Sequence, residues 1–274
     1  MARPYIWSRC GCATPDAELR ICCPECSRSE WVGMRLALGV AVLTLLATGC
    51  ASSGSLTTRD EVIRKILPST VQLRCEREGG GRRSASGVVV ASDAVTRRSW
   101  IVTARHFLEP PTTQQIHLTA PGRKDRTKLV VVASSPDADV TLLVAEGIVL
   151  PAVNLKEIAK LGDDVWVLAF PWGRRLTVVG GVVSQISADA GDDAFEGPAR
   201  MIDASVSYGA SGGGVFDART GELIGIIESY RTARVGTTPP QVIEVPVPGE
   251  TTLVSSSAIV RLMKSSDVPA EAPK

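Results

Sequence analysis

A chain of 274 residues has room for one large domain or two small ones, and a hydrophobic fraction of 44% supplies material for a core. The formal net charge of +1 leaves no electrostatic footprint for nucleic acid or an anionic surface, so no nucleic-acid partner is expected. Aromatic residues make up only 4% while Val, Gly, Ser and Thr are frequent, which favours many short strands over a helical bundle.

The seven cysteines are unevenly spread. Cys10, Cys12, Cys22, Cys23 and Cys26 crowd the start, followed only by Cys50 and Cys75. The cluster lacks the paired register of a zinc knuckle, and no metal or cofactor is expected. From Met34 the chain reads MRLALGVAVLTLLATGCASSGS, with Arg35 ahead of an uncharged apolar run over Leu36–Ala47. That run is short for a bilayer span and suits the core of a signal peptide. The small residues of Ala47-Thr48-Gly49-Cys50 resemble the lipobox of bacterial lipoproteins, although Ala47 stands where Leu is commonest. The resemblance implies a signal peptide over 34–49, lipid on Cys50 and a place in the bacterial cell envelope, on its periplasmic or outer-membrane side. Residues 1–33 then read as an over-extended start or an unstructured extension. A mature chain beginning at Cys50 is formally neutral, because residues 1–49 hold five Lys/Arg and four Asp/Glu. Its one further cysteine, Cys75, rules out a disulfide framework and is expected to be a buried free thiol.

Residues 50–58 are small and polar, a tether. Thr58-Arg59-Asp60-Glu61 fits a capping box and opens a short helix that runs to about Leu67, before Pro68. Val71, Leu73 and Cys75 then alternate with polar residues as in a half-buried strand. Further strands are expected at Ser86–Ser92, Trp100–Ala104, Gln115–Thr119, Lys128–Ala133 and Val140–Val144. Pro151–Lys160 reads as a connector with a helical turn. A second set follows at Val165–Ala169, Leu176–Val179, Gly181–Ile186, Arg200–Ala204, Gly213–Phe216 and Leu223–Ile227. Gln241–Val247 and Thr251–Val254 complete it, before a short helix at Ser257–Lys264 and a frayed tail over 265–274. About a dozen short strands at regular spacing imply an all-β sandwich or barrels.

Three segments carry chemistry. Trp100-Ile-Val-Thr-Ala-Arg-His106 runs a strand into a histidine. Asp137-Ala-Asp139-Val-Thr-Leu-Leu143 puts an acid at the lip of an apolar strand. Tyr208-Gly-Ala-Ser211-Gly-Gly-Gly-Val-Phe216 flanks a serine with glycines. A serine hydroxyl needs a base to take its proton during attack, and the base needs a third group to hold its tautomer. Flanking glycines let backbone N–H groups face a developing oxyanion. Gly209-Ala210-Ser211-Gly212-Gly213 also fits the G-x-S-x-G elbow of α/β-hydrolases, whose histidine follows the serine. Here His106 and His117 both precede it, so the order is that of chymotrypsin-like enzymes.

On these residues the chain resembles a trypsin-like peptidase of the HtrA/Deg type over 59–264. "WIVTARHFL" is similar to the family's histidine strand, "DADVTLL" to its aspartate, and "IDASVSYGASGGGVFDARTGELIGI" to its nucleophile loop. "DDVWVLAFPWGRRLTVVGGVVSQI" resembles the stretch between aspartate and serine. The resemblance implies two orthogonal six-stranded antiparallel β-barrels, at about 69–146 and 160–255, with the site in the cleft between them and a short C-terminal helix. It implies His106 as general base, Asp139 as orienting carboxylate, Ser211 as nucleophile, and the N–H groups of Gly209 and Ser211 as oxyanion donors. The implied activity is hydrolysis of polypeptides, with esterase action and a catalytically silent binding module as alternatives.

Arg105 stands where the family has a small residue, and Gly214 where it has proline. Asp137 is the rival of Asp139, His117 reads as a surface strand residue, and Pro171-Trp172-Gly173 reads as a packed turn beside the cleft. Ser205, six residues before Ser211, occupies the position where a trypsin-type pocket carries its acid, so a basic residue before the scissile bond is not expected to be preferred. Ala210 offers no charge to a new N-terminus, so the loop must order itself through its own hydrogen bonds or with substrate.

Overall fold

Val71, Leu73 and Cys75 are all fully buried, and their two-residue period sets the inner face of a strand that opens the first of two barrels. The computed structural model describes residues 58–110, 114–187, 194–236 and 243–268. The extension 1–33, the signal segment 34–49, Cys50 and nearly all of the tether lie outside them, as does the end of the expected tail. Strands β1 (Thr70–Arg77), β2 (Arg82–Asp93), β3 (Arg98–Thr103), β4 (Gln114–Thr119), β5 (Thr127–Ser134) and β6 (Thr141–Glu146) close an antiparallel barrel in the order β1-β2-β3-β6-β5-β4. Beyond a connector, β7 (Ala159–Lys160) pairs only with β10 (Glu196–Gly197). Strands β8 (Asp164–Ala169), β9 (Thr177–Ile186), β11 (Ala199–Ile202), β12 (Gly214–Asp217), β13 (Leu223–Val235) and β14 (Ile243–Ser255) close the second barrel in the order β11-β14-β13-β12-β8-β9. Helix α1 (Arg59–Ile66) precedes the barrels and α2 (Ser256–Ser265) follows them.

The pleat divides the apolar residues among three cores. Val89 of β2 and Ile101 of β3 point into the first barrel with Leu73 and Leu118. Val167, Val215 and Ile224 fill the second. The opposite faces of the same strands, with Val88, Val90, Leu168 and Phe216, pack into a third core joined by Val62 and Ile66 of α1 and Ile259 and Met263 of α2. Covering β2 on both faces explains its unbroken buried run from Ala85 to Ala91. Thr58 caps α1 by the expected reciprocal pair, its N–H reaching Glu61 Oε2 at 2.7 Å and its Oγ1 accepting from Glu61 N. Cys75 is a buried free thiol that donates to Gln114 Oε1 at 2.8 Å, and burial pushes its pKa up.

Several element boundaries differ from those read in the sequence. The expected strands on either side of Gly180 are one strand, β9; Gly180 lies against the Trp166 ring from β8 and Gly181 against Asp203 and Ala204, so the bare glycines admit close neighbours instead of breaking the ladder. Strand β13 runs past Ile227 to Val235, where its exposed residues are held by pairing with β14 and carry no apolar period to read. The two expected strands around Pro248-Gly249 are likewise one, β14, which absorbs the interruption in register shifts against β13. The connector at 151–160 has no helical turn; it runs extended, bridged at Leu155 to Leu223, and Lys156 reaches Asp217 at 2.6 Å and Asp163 at 3.1 Å. Burial would raise the pKa of Asp217, but Lys156 and the N–H groups of Arg219 and Thr220 outweigh it and hold the carboxyl below its usual range. Ser265 ends α2, and Val268 packs into the shared core where a frayed tail was expected.

Ser86, fully buried on β2, joins the barrels. Its N–H donates to Ser211 O at 2.9 Å, its Oγ donates to Gly209 O at 3.0 Å, and the same Oγ accepts from Phe170 N at 2.8 Å. Its carbonyl accepts from Thr103 Oγ1 at 2.8 Å. The variant Ser86→Ala strands the Phe170 N–H and the Gly209 carbonyl in a dry interface, at a cost of roughly 2–4 kcal/mol. Chemical denaturation should show a lower midpoint with an unchanged slope.

Candidate active site

Strand β3 delivers His106 to the cleft. After Thr103 the chain turns through a short 3₁₀ segment, Arg105–Leu108, whose Phe107 and Leu108 are buried in the first barrel and anchor it. Asp139 arrives from the turn before β6. Ser135 Oγ accepts from the N–H groups of Asp137 and Ala138, and Ser135 N donates to Val140 O at 3.0 Å, which closes that turn. The two turns are bonded together: Arg105 N donates to Asp139 O at 3.2 Å, and Arg105 Nη1 to Ser135 O at 2.6 Å. Arg105 therefore points away from the cleft and grips the loop that holds Asp139.

The carboxylate meets the histidine twice. Asp139 Oδ1 accepts from His106 N at 2.8 Å, and Oδ2 lies 2.6 Å from His106 Nδ1. A carboxylate can only accept here, so Nδ1 carries the proton and Nε2 is free to accept from Ser211 Oγ, 3.0 Å away. The hydrogen bond that His106 donates to Asp139 raises the pKa of His106; partial burial and the Arg83 charge oppose that without cancelling it. Asp137 is exposed and does not reach the histidine. His117 sits on β4 opposite Arg74 and Lys128, half-buried between the buried Ile116 and Leu118 as the alternation in the sequence implies, and has no contact with His106, Asp139 or Ser211.

Ser211 sits in a turn that leads into β12. Gly209 and Gly212 both have positive φ (89° and 77°), and a Cβ on Gly212 would press on Ser86 O and Thr103 Oγ1. The turn is bonded internally, Ala210 N to Ser207 O at 3.0 Å and Gly213 N to Ala210 O at 2.8 Å. Among the described residues no acceptor meets the N–H of Gly209 or of Ser211. Trp172 N donates to Tyr208 O at 2.8 Å. In a trans peptide C=O and N–H point opposite ways, so anchoring that carbonyl turns the Gly209 N–H the other way. Trp172 adopts φ 57°, uncommon for a bulky residue, and its ring lies 5.2 Å from that of Tyr208. The Pro171-Trp172-Gly173 turn thus holds the nucleophile loop, a backbone role that residue type does not announce. Gly214 has its own reason: the Phe216 ring and Val88 occupy the space a side chain would need. Ser205 lines a cavity of about 300 Å³ with Val167, Ala169, Val179 and Ala210, and none of its lining residues is charged.

A family model described as a trypsin-like peptidase domain matches residues 85–226. A probable periplasmic serine endoprotease, DegP-like, of Pseudomonas putida (strain GB-1) is 31% identical over 157 residues, covering 56% of this chain and 30% of that protein. The periplasmic serine endoprotease DegP of Escherichia coli (strain K12) is 23% identical over 248 residues, covering 70% of this chain and 51% of that one. The chain thus spans about a third to a half of the length of these relatives. The crystal structure of the serine endoprotease from Yersinia pestis superimposes with a TM-score of 0.58 at 21% identity, covering 77% of this chain and 66% of that chain.

The Asp139 contact makes a titration prediction. A raised folded pKa means that the pair stabilises the fold fully below the ordinary imidazole value, ~6.5, and that this contribution is lost as pH rises through the folded value. NMR titration of the imidazole should give a midpoint above that ordinary value, and Asp139→Asn should move it down.

Proposed function

We propose, since the chain belongs to the trypsin-like peptidase family, and to its HtrA type, that it is a serine endopeptidase acting on polypeptides of the cell envelope or outside it. The observation that carries this reading is the hydrogen-bonded line from Asp139 through His106 to Ser211, at 2.6 and 3.0 Å, beside two unpaired N–H groups. In the proposed reaction Ser211 Oγ attacks the scissile carbonyl while His106 Nε2 takes its proton. Asp139 holds the imidazole in the required tautomer and stabilises the imidazolium. The Gly209 and Ser211 N–H groups receive the oxyanion, a contribution worth ~10²–10³ in rate for each donor of this kind. His106 then hands the proton to the departing amine, leaving an acyl-enzyme on Ser211 that water cleaves by the same steps in reverse. The same machinery would accept an ester, but peptidase relatives favour the amide.

The alternative of a silent binding module rests on the two departures from the family pattern. Arg105 is turned to Ser135 and Gly214 makes room for Phe216, so neither intrudes on the cluster. The uncharged cavity at Ser205 is read as the pocket for the residue before the scissile bond, suited to small or medium apolar side chains and offering a cation no partner. A fluorophosphonate probe should label the protein covalently, with labelling abolished in Ser211→Ala. A peptide library should return small or medium apolar residues before the cut. A folded, monodisperse protein that takes no label would sink the enzymatic reading, and a profile dominated by Lys or Arg would sink the pocket assignment.

The relatives named as periplasmic support an envelope location. The finer reading is attachment through lipid on Cys50, for which the apolar run ending at a small-residue cysteine site is the support. One acyl chain binds membranes marginally and two or more hold stably, so an acylated Cys50 should keep the protein with the membrane fraction. Intact mass of protein from its native envelope should correspond to a chain starting at a lipid-modified Cys50; a mass that still includes residues 1–49 would refute the anchor.

A further inference from the structure

Two cavities flank Ser211. The one at Ser205 lacks His106 among its lining residues. The other, of about 320 Å³, is lined by Arg83, His106, Glu109, Tyr208, Gly209 and Ser211, among others. The departing amine has to receive its proton from His106 Nε2, so the residues after the scissile bond lie on the side His106 lines. That side holds an uncompensated charge. Arg83 is half-buried, and its Nη1 donates to two neutral carbonyls, His106 O at 3.1 Å and Glu109 O at 2.6 Å. Among the described residues no carboxylate lies within ion-pair distance of it. The one acid lining this cavity, Glu109, is taken up by Arg105 at 3.2 Å, and Arg77 adds a second guanidinium to the Glu109 carbonyl.

A guanidinium fixed through one nitrogen keeps its remaining donors in a rigid fork, the arrangement that meets a carboxylate at least entropic cost. The Arg83 charge also works against protonation of His106, a penalty that a substrate carboxylate beside Arg83 would relieve. We propose that Arg83 selects substrates carrying Asp or Glu at one of the first two positions after the scissile bond. The proposal rests on the peptidase reading and adds a substrate class to it.

The test uses quenched-fluorescent peptides that differ only by Glu, Gln or Lys at those two positions, cleaved by the full chain. The expected kcat/KM falls from Glu to Gln to Lys, by roughly five- to tenfold between Glu and Gln, which is a charged hydrogen bond discounted for its half-exposed setting. Arg83→Gln should erase the preference, Arg83→Glu should invert it, and Arg83→Lys should retain part of it. With no variant at all, raising the salt should shrink the wild-type preference. Equal cleavage of all three peptides by the wild type overturns this inference and leaves the peptidase reading standing. So does an Arg83→Gln variant that loses the same factor on every peptide, because then Arg83 only props the His106 turn. Cleavage of none, together with no fluorophosphonate labelling, overturns both.

Discussion

The structure depends on the hydrogen bonds of one buried serine. His106 and Asp139 hang from the first barrel and Ser211 from the second, so the 3.0 Å between Nε2 and Oγ is a distance between two separately closed sheets. Apolar packing between them, with Val88 and Val90 against Leu168 and Phe216, is strong but tolerates sliding. Ser86 removes that freedom. Its N–H, carbonyl and hydroxyl are all engaged, three of the four contacts reach the other barrel, and each would be left dry and unpaired if the barrels shifted. Gln72 on the neighbouring strand adds a further tie, its Nε2 donating to Arg174 O at 3.2 Å.

The nucleophile loop is held by backbone rather than by charge. Ala210, where trypsin-like zymogens place the acid that receives a new N-terminus, is buried in the second barrel's core and makes a turn through Ser207 and Gly213. The orientation of the Gly209 peptide is secured instead by Trp172 N on the Tyr208 carbonyl. That bond requires Trp172 to sit at φ 57°, a conformation that costs on the order of 1 kcal/mol for a bulky residue. Strain of that kind is sustained only where the surroundings over-determine it, and here the ring contact with Tyr208 and the bonds of Gly173 and Arg174 back to Phe170 and Pro171 do so.

Charge is arranged around this core with the same economy. Arg105 joins the His106 turn to the Asp139 turn through backbone carbonyls, so a bulky cation at that position supports the cluster from behind. Arg83 and Arg77 converge on the Glu109 carbonyl from the neighbouring β2 and β1 strands and leave positive potential on one side of the cleft, while the cavity at Ser205 on the other side is uncharged. The two sides of Ser211 therefore offer different chemistry to a chain laid across it.

Much of this was legible in the sequence, and the reason is local. Period-two burial in β1, the capping box of α1, the strand that runs into His106 and the glycines around Ser211 are properties of neighbouring residues, so composition and spacing suffice to read them. The order His106, Asp139, Ser211 separated one hydrolase class from another because order along the chain is read without any knowledge of the fold. What could not be read depends on partners distant in the chain. Strand β13 beyond Ile227 exists because β14 pairs with it, and β9 crosses two glycines because Trp166 fills the space at Gly180 while Asp203 and Ala204 fill that at Gly181. Trp172 acts through an N–H that every non-proline residue possesses, and Ser86 is one small polar residue in an apolar run until two barrels close on it. Sequence by itself determined the residue types, their order and the all-β character. Only the tertiary structure decided which backbone groups meet, because a hydrogen bond across 100 residues of chain leaves no mark on either neighbourhood until closure of the barrels brings its two ends within 3 Å.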